Sequence, residues 1–218
     1  MALAIFDLDN TLLAGDSDYL WGVFLCDQGI VDRGFYEERN RQFFEAYKEG
    51  RLDIMEFQRF SLEPLSRHPL EQLQRWHRQF MREVIDPLIT ADALALVEKH
   101  RRKGDLLMII TATNSFVTAP IAERFGITHL IATEPRVEDG RYTGEVAGEP
   151  SYRQGKVHRL EEWLKEHQQP LDGSWFYSDS HNDLPLLDLV DHPVAVNPDQ
   201  QLEERAQQQG WPIIRLHL

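Results

Sequence analysis

Four short clusters in this chain carry residue types and spacings that can do chemistry together. The first is Asp7-Leu-Asp-Asn-Thr11, directly after the apolar run Leu3–Phe6. Residues two apart in an extended chain point to the same side, so Asp7 and Asp9 can face one crevice. Two adjacent carboxylates repel, and a shared proton or a hard cation lets them coexist; Mg²⁺ commonly takes one or two carboxylates together with a substrate phosphate. Viewed alone, the same residues also suit a turn that caps a helix. The second cluster, Thr111-Ala-Thr-Asn114, closes the apolar run Leu106–Ile110. A hydroxyl and successive backbone N–H groups at a helix entrance can hold a phosphate oxygen, although Thr and Asn are equally suited to capping. The third is Lys156, after Gly155 at the start of a helical pattern, where the helix dipole opposes a cation and an anionic partner would favour it. The fourth is Tyr177-Ser-Asp-Ser-His-Asn-Asp-Leu-Pro185. Asp179 follows a strand and Asp183 lies one helical turn on. Asn182 or Asp183 could cap the next helix, with Pro185 in its first turn, but that reading leaves Asp179 unexplained.

The elements that must position these clusters follow from periodicity. Leu3–Phe6 and Leu106–Ile110 are short continuous apolar runs, suited to strands buried on both faces. From Asp16 to Glu83 the pattern is helical, with Phe43, Phe44 and Tyr47, then Ile54, Phe57 and Phe60, at helical spacing as packing residues. Beyond Pro87 helices and strands alternate: a helix over 90–102 stopped by Gly104, a helix over 115–125, a strand over 127–132, and a hairpin over 137–143 turning at Asp139-Gly140. A helix over 156–167 follows, then a strand over 175–177, a helix over 184–189, and strands over 193–196 and 213–214. Alternation of this kind gives a parallel sheet with helices on both faces. The fold expected is therefore α/β, with a discontinuous core of residues 1–15 and 84–218 and an inserted helical unit over 16–83. Three of the four clusters fall at strand C-termini, where open α/β sheets bind ligands.

Composition narrows the partners. The 218 residues carry a net charge of -13, which leaves no basic surplus for non-specific nucleic-acid binding. A phosphorylated small molecule stays compatible, because one bound cation reverses the local field. A single cysteine, Cys26 in an apolar helical face, excludes a disulfide framework and reads as a buried thiol. The N-terminal apolar run meets Asp7 after six residues with no basic lead-in, and no segment has the length of a membrane span. No membrane partner and a cytoplasmic location are the expectations.

In this order and spread, the four clusters resemble the motifs of the haloacid dehalogenase superfamily, in particular its phosphoserine-phosphatase-like subgroup. The resemblance implies a Rossmann-like core with a helical cap inserted after the first motif. It also implies a Mg²⁺-dependent phosphatase that passes through an aspartyl-phosphate. Asp7 would be the nucleophile and Asp9 the general acid and base, while Thr111 and Lys156 would hold phosphoryl oxygens. Asp7 and Asp179 would ligate Mg²⁺, Asp9 through its backbone carbonyl, with Asp183 close by. For the substrate, Asp16 stands where phosphoserine phosphatases carry the carboxylate that reads the amine. Counting on from Glu49-Gly-Arg-Leu-Asp53 puts Arg59 where they carry an arginine. Ala112 and Thr113 replace the glycines after the second motif, and His181 and Asn182 replace Ala-Asn before Asp183. The N-terminal stretch from Asp7 to Asp18 resembles a bacterial branch that includes histidinol-phosphate phosphatases. A small phosphorylated metabolite is the expected partner, histidinol phosphate ahead of phosphoserine. A phospho-receiver module or an inactive phosphate-binding protein is the rival of another class; the first lacks the late Asp-x-x-x-Asp and the insertion, and the second usually loses a motif residue.

Overall fold

In a computed structural model, described here for residues 1–217, six parallel strands form one sheet in the order β3-β2-β1-β6-β7-β8. They are β1 (Leu3–Phe6), β2 (Leu106–Asn114), β3 (His129–Thr133), β6 (Trp175–Ser178), β7 (His192–Val196) and β8 (Ile213–Ile214). The strand carrying the first acidic pair is thus central. All four of its residues are fully buried, which explains an apolar run without alternation. Ala4 and Phe6 point into one apolar cluster, Leu3 and Ile5 into the other.

Five α-helices lie between β1 and β2, the first four being α1 (Ser17–Asp27), α2 (Arg33–Lys48), α3 (Ile54–Ser66) and α4 (Leu70–Phe80). Asp16, Asp32 and Asp53 accept backbone N–H bonds at the first turns of α1, α2 and α3. Their apolar side chains, Trp21, Leu62 and Phe80 among them, join Phe6 and Val117 in one continuous cluster. α5 (Ala91–Lys103) ends at Gly104 in a left-handed conformation, and α6 (Ser115–Arg124) follows β2. The hairpin of β4 (Pro135–Glu138) and β5 (Arg141–Val146) turns at Asp139-Gly140 and leans on α3, where Gly144 packs beside Ser66. α7 (Gln154–His167), α8 (Leu184–Leu187) and α9 (Gln200–Gln209) cover the opposite face through Val157, Leu160, Leu186 and Leu202. Among the described residues no helix is long and apolar enough to cross a membrane. Cys26 is buried, as its surroundings suggest.

α3 departs from the sequence reading in a way that matters below. Phe57 and Phe60 do pack, but against α2, with ring centroids 5.3 Å from Phe43. The face turned to the body of the protein is Gln58, Ser61, Leu62 and Leu65, all buried. The helix is covered on two sides, so two stripes pack, and periodicity alone does not tell which of them meets the body of the protein. β2 also runs farther than its apolar stretch, through Thr111 to Asn114, with a register shift against β3 between Ile110 and Asn114.

Candidate active site

The C-terminal ends of β1, β2 and β6 bring the acidic and basic clusters together. After β1 the chain makes one wide turn over Leu8–Leu12, with Asn10 at φ 57°. Asn tolerates this left-handed geometry better than most side chains. The turn places the Thr11 hydroxyl 3.3 Å from Asp7 Oδ2 and 3.2 Å from Asp179 Oδ1. One hydroxyl thus bridges two carboxylates that arrive from different strands.

Lys156 completes the arrangement from α7. Its Nζ donates to Asp7 Oδ1 and Asp183 Oδ2, each at 2.8 Å, and all three side chains are nearly inaccessible to solvent. The backbone has to come close for the lysine to enter: a Cβ on Gly155 would sit 2.2 Å from the Pro150 carbonyl. Asp183 also accepts from the Ser178 hydroxyl at 2.7 Å. The anionic partner that the lysine's unfavourable place near a helix N-terminus called for is therefore this pair of aspartates.

Electrostatics follow from burial. Burial pushes the Asp7 carboxyl up to about 7; Lys156 opposes the rise while Asp183 and Asp9 add to it. Asp179 is raised well above the ordinary range by burial and by Asp7 and Asp183. Lys156 is disfavoured by burial, yet Asp183 and Asp7 outweigh that and hold it above the usual lysine value. Asp9 makes its hydrogen bonds outside this group. Its Oδ1 accepts from Ser17 N at 2.6 Å and its Oδ2 from the Thr113 hydroxyl at 2.7 Å. Burial, together with Asp16, raises it to about 6.

The remaining sequence candidates separate. Thr111 is buried beside the site and its hydroxyl accepts from Thr113 N. Ala112 offers its carbonyl to Gln58 Nε2 at 3.1 Å and to the Thr133 hydroxyl at 2.8 Å. Asn114 does cap α6, accepting from Val117 N. Neither proposed cap at α8 uses a side chain: Asp183 faces Lys156, and Asn182 Oδ1 accepts from Tyr152 and Arg153. His181 donates its backbone N–H to Asp199 Oδ2 at 2.8 Å, and its ring Nδ1 lies 2.7 Å from the same oxygen, which holds the ring to the start of α9. Asp16 stands open to solvent and accepts from Tyr19 N.

Arg59 corrects the sequence expectation. It is exposed and lines a groove between α2 and α3 with Phe35, Arg39 and Glu63, on the face of α3 opposite Gln58. Counting positions ignored that α3 turns its neighbour inward. Among the described residues no three His, Cys, Asp or Glu side chains converge as a metal cluster. Asp183 is committed to Lys156 and Ser178, and the Asp9 carboxylate to Ser17 and Thr113. Asp7 and Asp179 remain as paired hard oxygen donors.

Three residues at the site escaped sequence reasoning. Tyr47, read as packing, lies with its hydroxyl 2.6 Å from Ser180 Oγ and so ties α2 to the loop after β6. Gln58 and Asp18 are buried polar residues of the inserted helices. A signal for Gln58 existed, because with Ile54, Ser61, Leu62 and Leu65 it lies on one helical stripe. A glutamine on a stripe that is otherwise small or apolar needs a reason.

The haloacid dehalogenase-like hydrolase family model matches residues 4–188. A histidinol-phosphatase of Neisseria meningitidis serogroup C is 47% identical, with 97% of each chain covered. A crystal structure of a protein of unknown function from Bordetella pertussis superposes with a TM-score of 0.94 at 48% identity, covering 99% of each chain. A phosphoserine phosphatase, solved as an analogue of its phospho-aspartyl intermediate, shares the fold at a TM-score of 0.72 and 20% identity, over 99% of this chain and 93% of that one.

Proposed function

The chain belongs to the haloacid dehalogenase-like hydrolases, and we propose that it is a phosphatase acting on a small amino-bearing phosphomonoester, histidinol phosphate first among them. The observation that carries this reading is Lys156 Nζ at 2.8 Å from both Asp7 and Asp183, with Asp179 joined to Asp7 through Thr11. Such a buried group has no packing purpose that an apolar residue would not serve as well. Its place at strand ends suits phosphoryl transfer, where positioning and charge stabilisation dominate. The name of the meningococcal relative supports the choice of substrate. In this reading residues 16–83 form a cap over a core of residues 1–15 and 84–218.

The donor set fits a hard divalent cation. Asp7 and Asp179 are carboxylates raised chiefly by burial, with the Asp7 charge adding to the rise at Asp179, and Mg²⁺ characteristically needs only one or two carboxylates alongside substrate phosphate. Asp7, Asp179 and the backbone carbonyl of Asp9 would hold it, and when bound it supplies positive charge against the phosphoryl oxygens.

The chain's own residues do the rest. Asp7 attacks phosphorus: its carboxylate oxygen forms the O–P bond while the bond to the ester oxygen breaks, giving an aspartyl-phosphate. Asp9, raised to about 6, is suited to hold a proton for the departing alkoxide and to take one back from the attacking water. That water forms the new O–P bond, the bond to Asp7 breaks, and inorganic phosphate leaves. Lys156 and Thr111 steady the oxygens as charge develops, and Asp183 keeps Lys156 in place. The test is Asp7→Asn in the full chain with Mg²⁺ present. Hydrolysis of p-nitrophenyl phosphate is expected to fall by about three orders of magnitude with the circular dichroism unchanged. Activity surviving in that variant would remove Asp7 as nucleophile.

A further inference from the structure

Two of the inserted helices present three buried oxygen atoms with no protein partner beside the proposed acid–base residue. Asp18 is 6% exposed; its Oδ1 accepts from the Ser61 hydroxyl at 2.7 Å, and its Oδ2 has no partner. Gln58 is fully buried, donates through Nε2 to the Ala112 carbonyl at 3.1 Å, and leaves Oε1 unpaired. Ser17 is fully buried, gives its backbone N–H to Asp9 Oδ1 at 2.6 Å, and leaves its hydroxyl unpaired. These residues are fixed to the site on both sides. Ser17 is bonded to Asp9, and Gln58 to the residue between Thr111 and Thr113, the second of which holds the other Asp9 oxygen.

Buried polar atoms are nearly always paired, and a carboxylate oxygen left alone in the interior destabilises the fold. The amide oxygen can only accept, the carboxylate oxygen accepts when Asp18 is ionised, and the third is a hydroxyl that can accept as well. What they lack is a donor with positive charge. Asp16, the carboxylate that the family comparison favours, is differently placed: it is exposed and caps α1. We propose that Asp18 Oδ2 receives the cationic N–H group of the substrate, with Gln58 Oε1 and Ser17 Oγ as the further unpaired acceptors, and that Asp18 rather than Asp16 is the specificity-determining carboxylate. This inference rests on the phosphomonoesterase reading above. Ser61 is a positioning residue, holding the Asp18 carboxylate so that Oδ2 stays free to accept.

The experiment compares kcat/KM for histidinol phosphate and for p-nitrophenyl phosphate, which has no cationic group, in wild type, Asp18→Asn, Asp16→Asn and Ser61→Ala. In wild type the amino-bearing ester is expected to be preferred. Asp18→Asn keeps the shape and the Ser61 contact, and is expected to lower the ratio of the two kcat/KM values by about 10- to 100-fold, carried mainly by KM. Asp16→Asn is expected to leave that ratio near its wild-type value. Ser61→Ala retains the charge and is expected to raise KM for the amino-bearing ester several-fold at unchanged kcat, an effect that supports the assignment independently of how Asp18→Asn folds. Equal losses on both esters in Asp18→Asn, or a ratio that collapses in Asp16→Asn instead, would overturn the assignment. Wild-type turnover of the aryl ester without preference for the amino-bearing one overturns this inference alone, whereas wild type inert on both esters defeats the phosphatase reading beneath it.

Discussion

Asp18→Asn also makes a prediction about stability, with a sign that the structure fixes. Burial raises the Asp18 carboxyl from 3.8 to about 7, against the Ser61 bond and helped by the nearby Asp9 charge. A carboxyl raised in the folded state contributes stability that is complete below 3.8 and is lost as pH climbs through 7. Integrated between those values, the loss is on the order of 4 kcal/mol by pH 8, of which roughly 2.5 kcal/mol falls between pH 5 and pH 8. Asparagine mimics the neutral acid at every pH and keeps the oxygen that Ser61 bonds. The difference in stability between Asp18→Asn and wild type should therefore grow in favour of the variant across that interval, by about 5–10 °C in Tm for a chain of this size. Thermal unfolding from pH 5 to pH 8, without metal, measures it. Asp7, Asp9 and Asp179 impose their own slopes on both proteins, so only the difference curve is informative. Parallel curves would show that Asp18 is not a strained buried acid and would refute the reasoning. A variant more stable yet less selective would mean that the carboxylate is kept for binding at the expense of the fold.

Other expectations follow from the same geometry. Lys156→Met should destabilise the fold by about 3–5 kcal/mol in urea unfolding, because Asp7 and Asp183 lose their shared cation in a buried setting, and should lower kcat at least 100-fold. Mg²⁺ at about one hundred times its pH 8 Kd should stabilise the chain by roughly 2.7 kcal/mol at pH 8, and the same concentration should stabilise it less at pH 5, because Asp7 and Asp179 shed their protons only as pH rises through their raised values. A calorimetric scan with and without the ion tests this; equal shifts at both pH values would count against these carboxylates as its ligands. Arg59→Ala, on the outer face of α3, should leave kcat/KM for either ester within about twofold of wild type.

The sequence by itself determined the parts that depend on short-range pattern. The apolar runs of β1 and β2 suited doubly buried strands, and Asp7 does emerge at the end of β1, whereas β2 continues past Thr111 to Asn114. Asp7 and Asp9 nevertheless take different hydrogen-bond partners, Thr11 and Lys156 for the first and Ser17 and Thr113 for the second. Lys156 advertised an anion through its unfavourable place near a helix N-terminus, but not which anion, since its two partners lie 149 and 27 residues away. The tertiary structure alone decided the face of α3. Phe57 and Phe60 satisfy a helical stripe as well as Gln58, Ser61 and Leu62 do, and only the packing of α2 on one side and of the sheet-borne core on the other sends Gln58 inward and Arg59 out. For the same reason Asp16 drew the sequence argument while Asp18 took the buried place. Helix periodicity tells which residues share a face, whereas what that face meets is set by chain segments far away in sequence, and on that depends whether a carboxylate is solvated or left awaiting a cation.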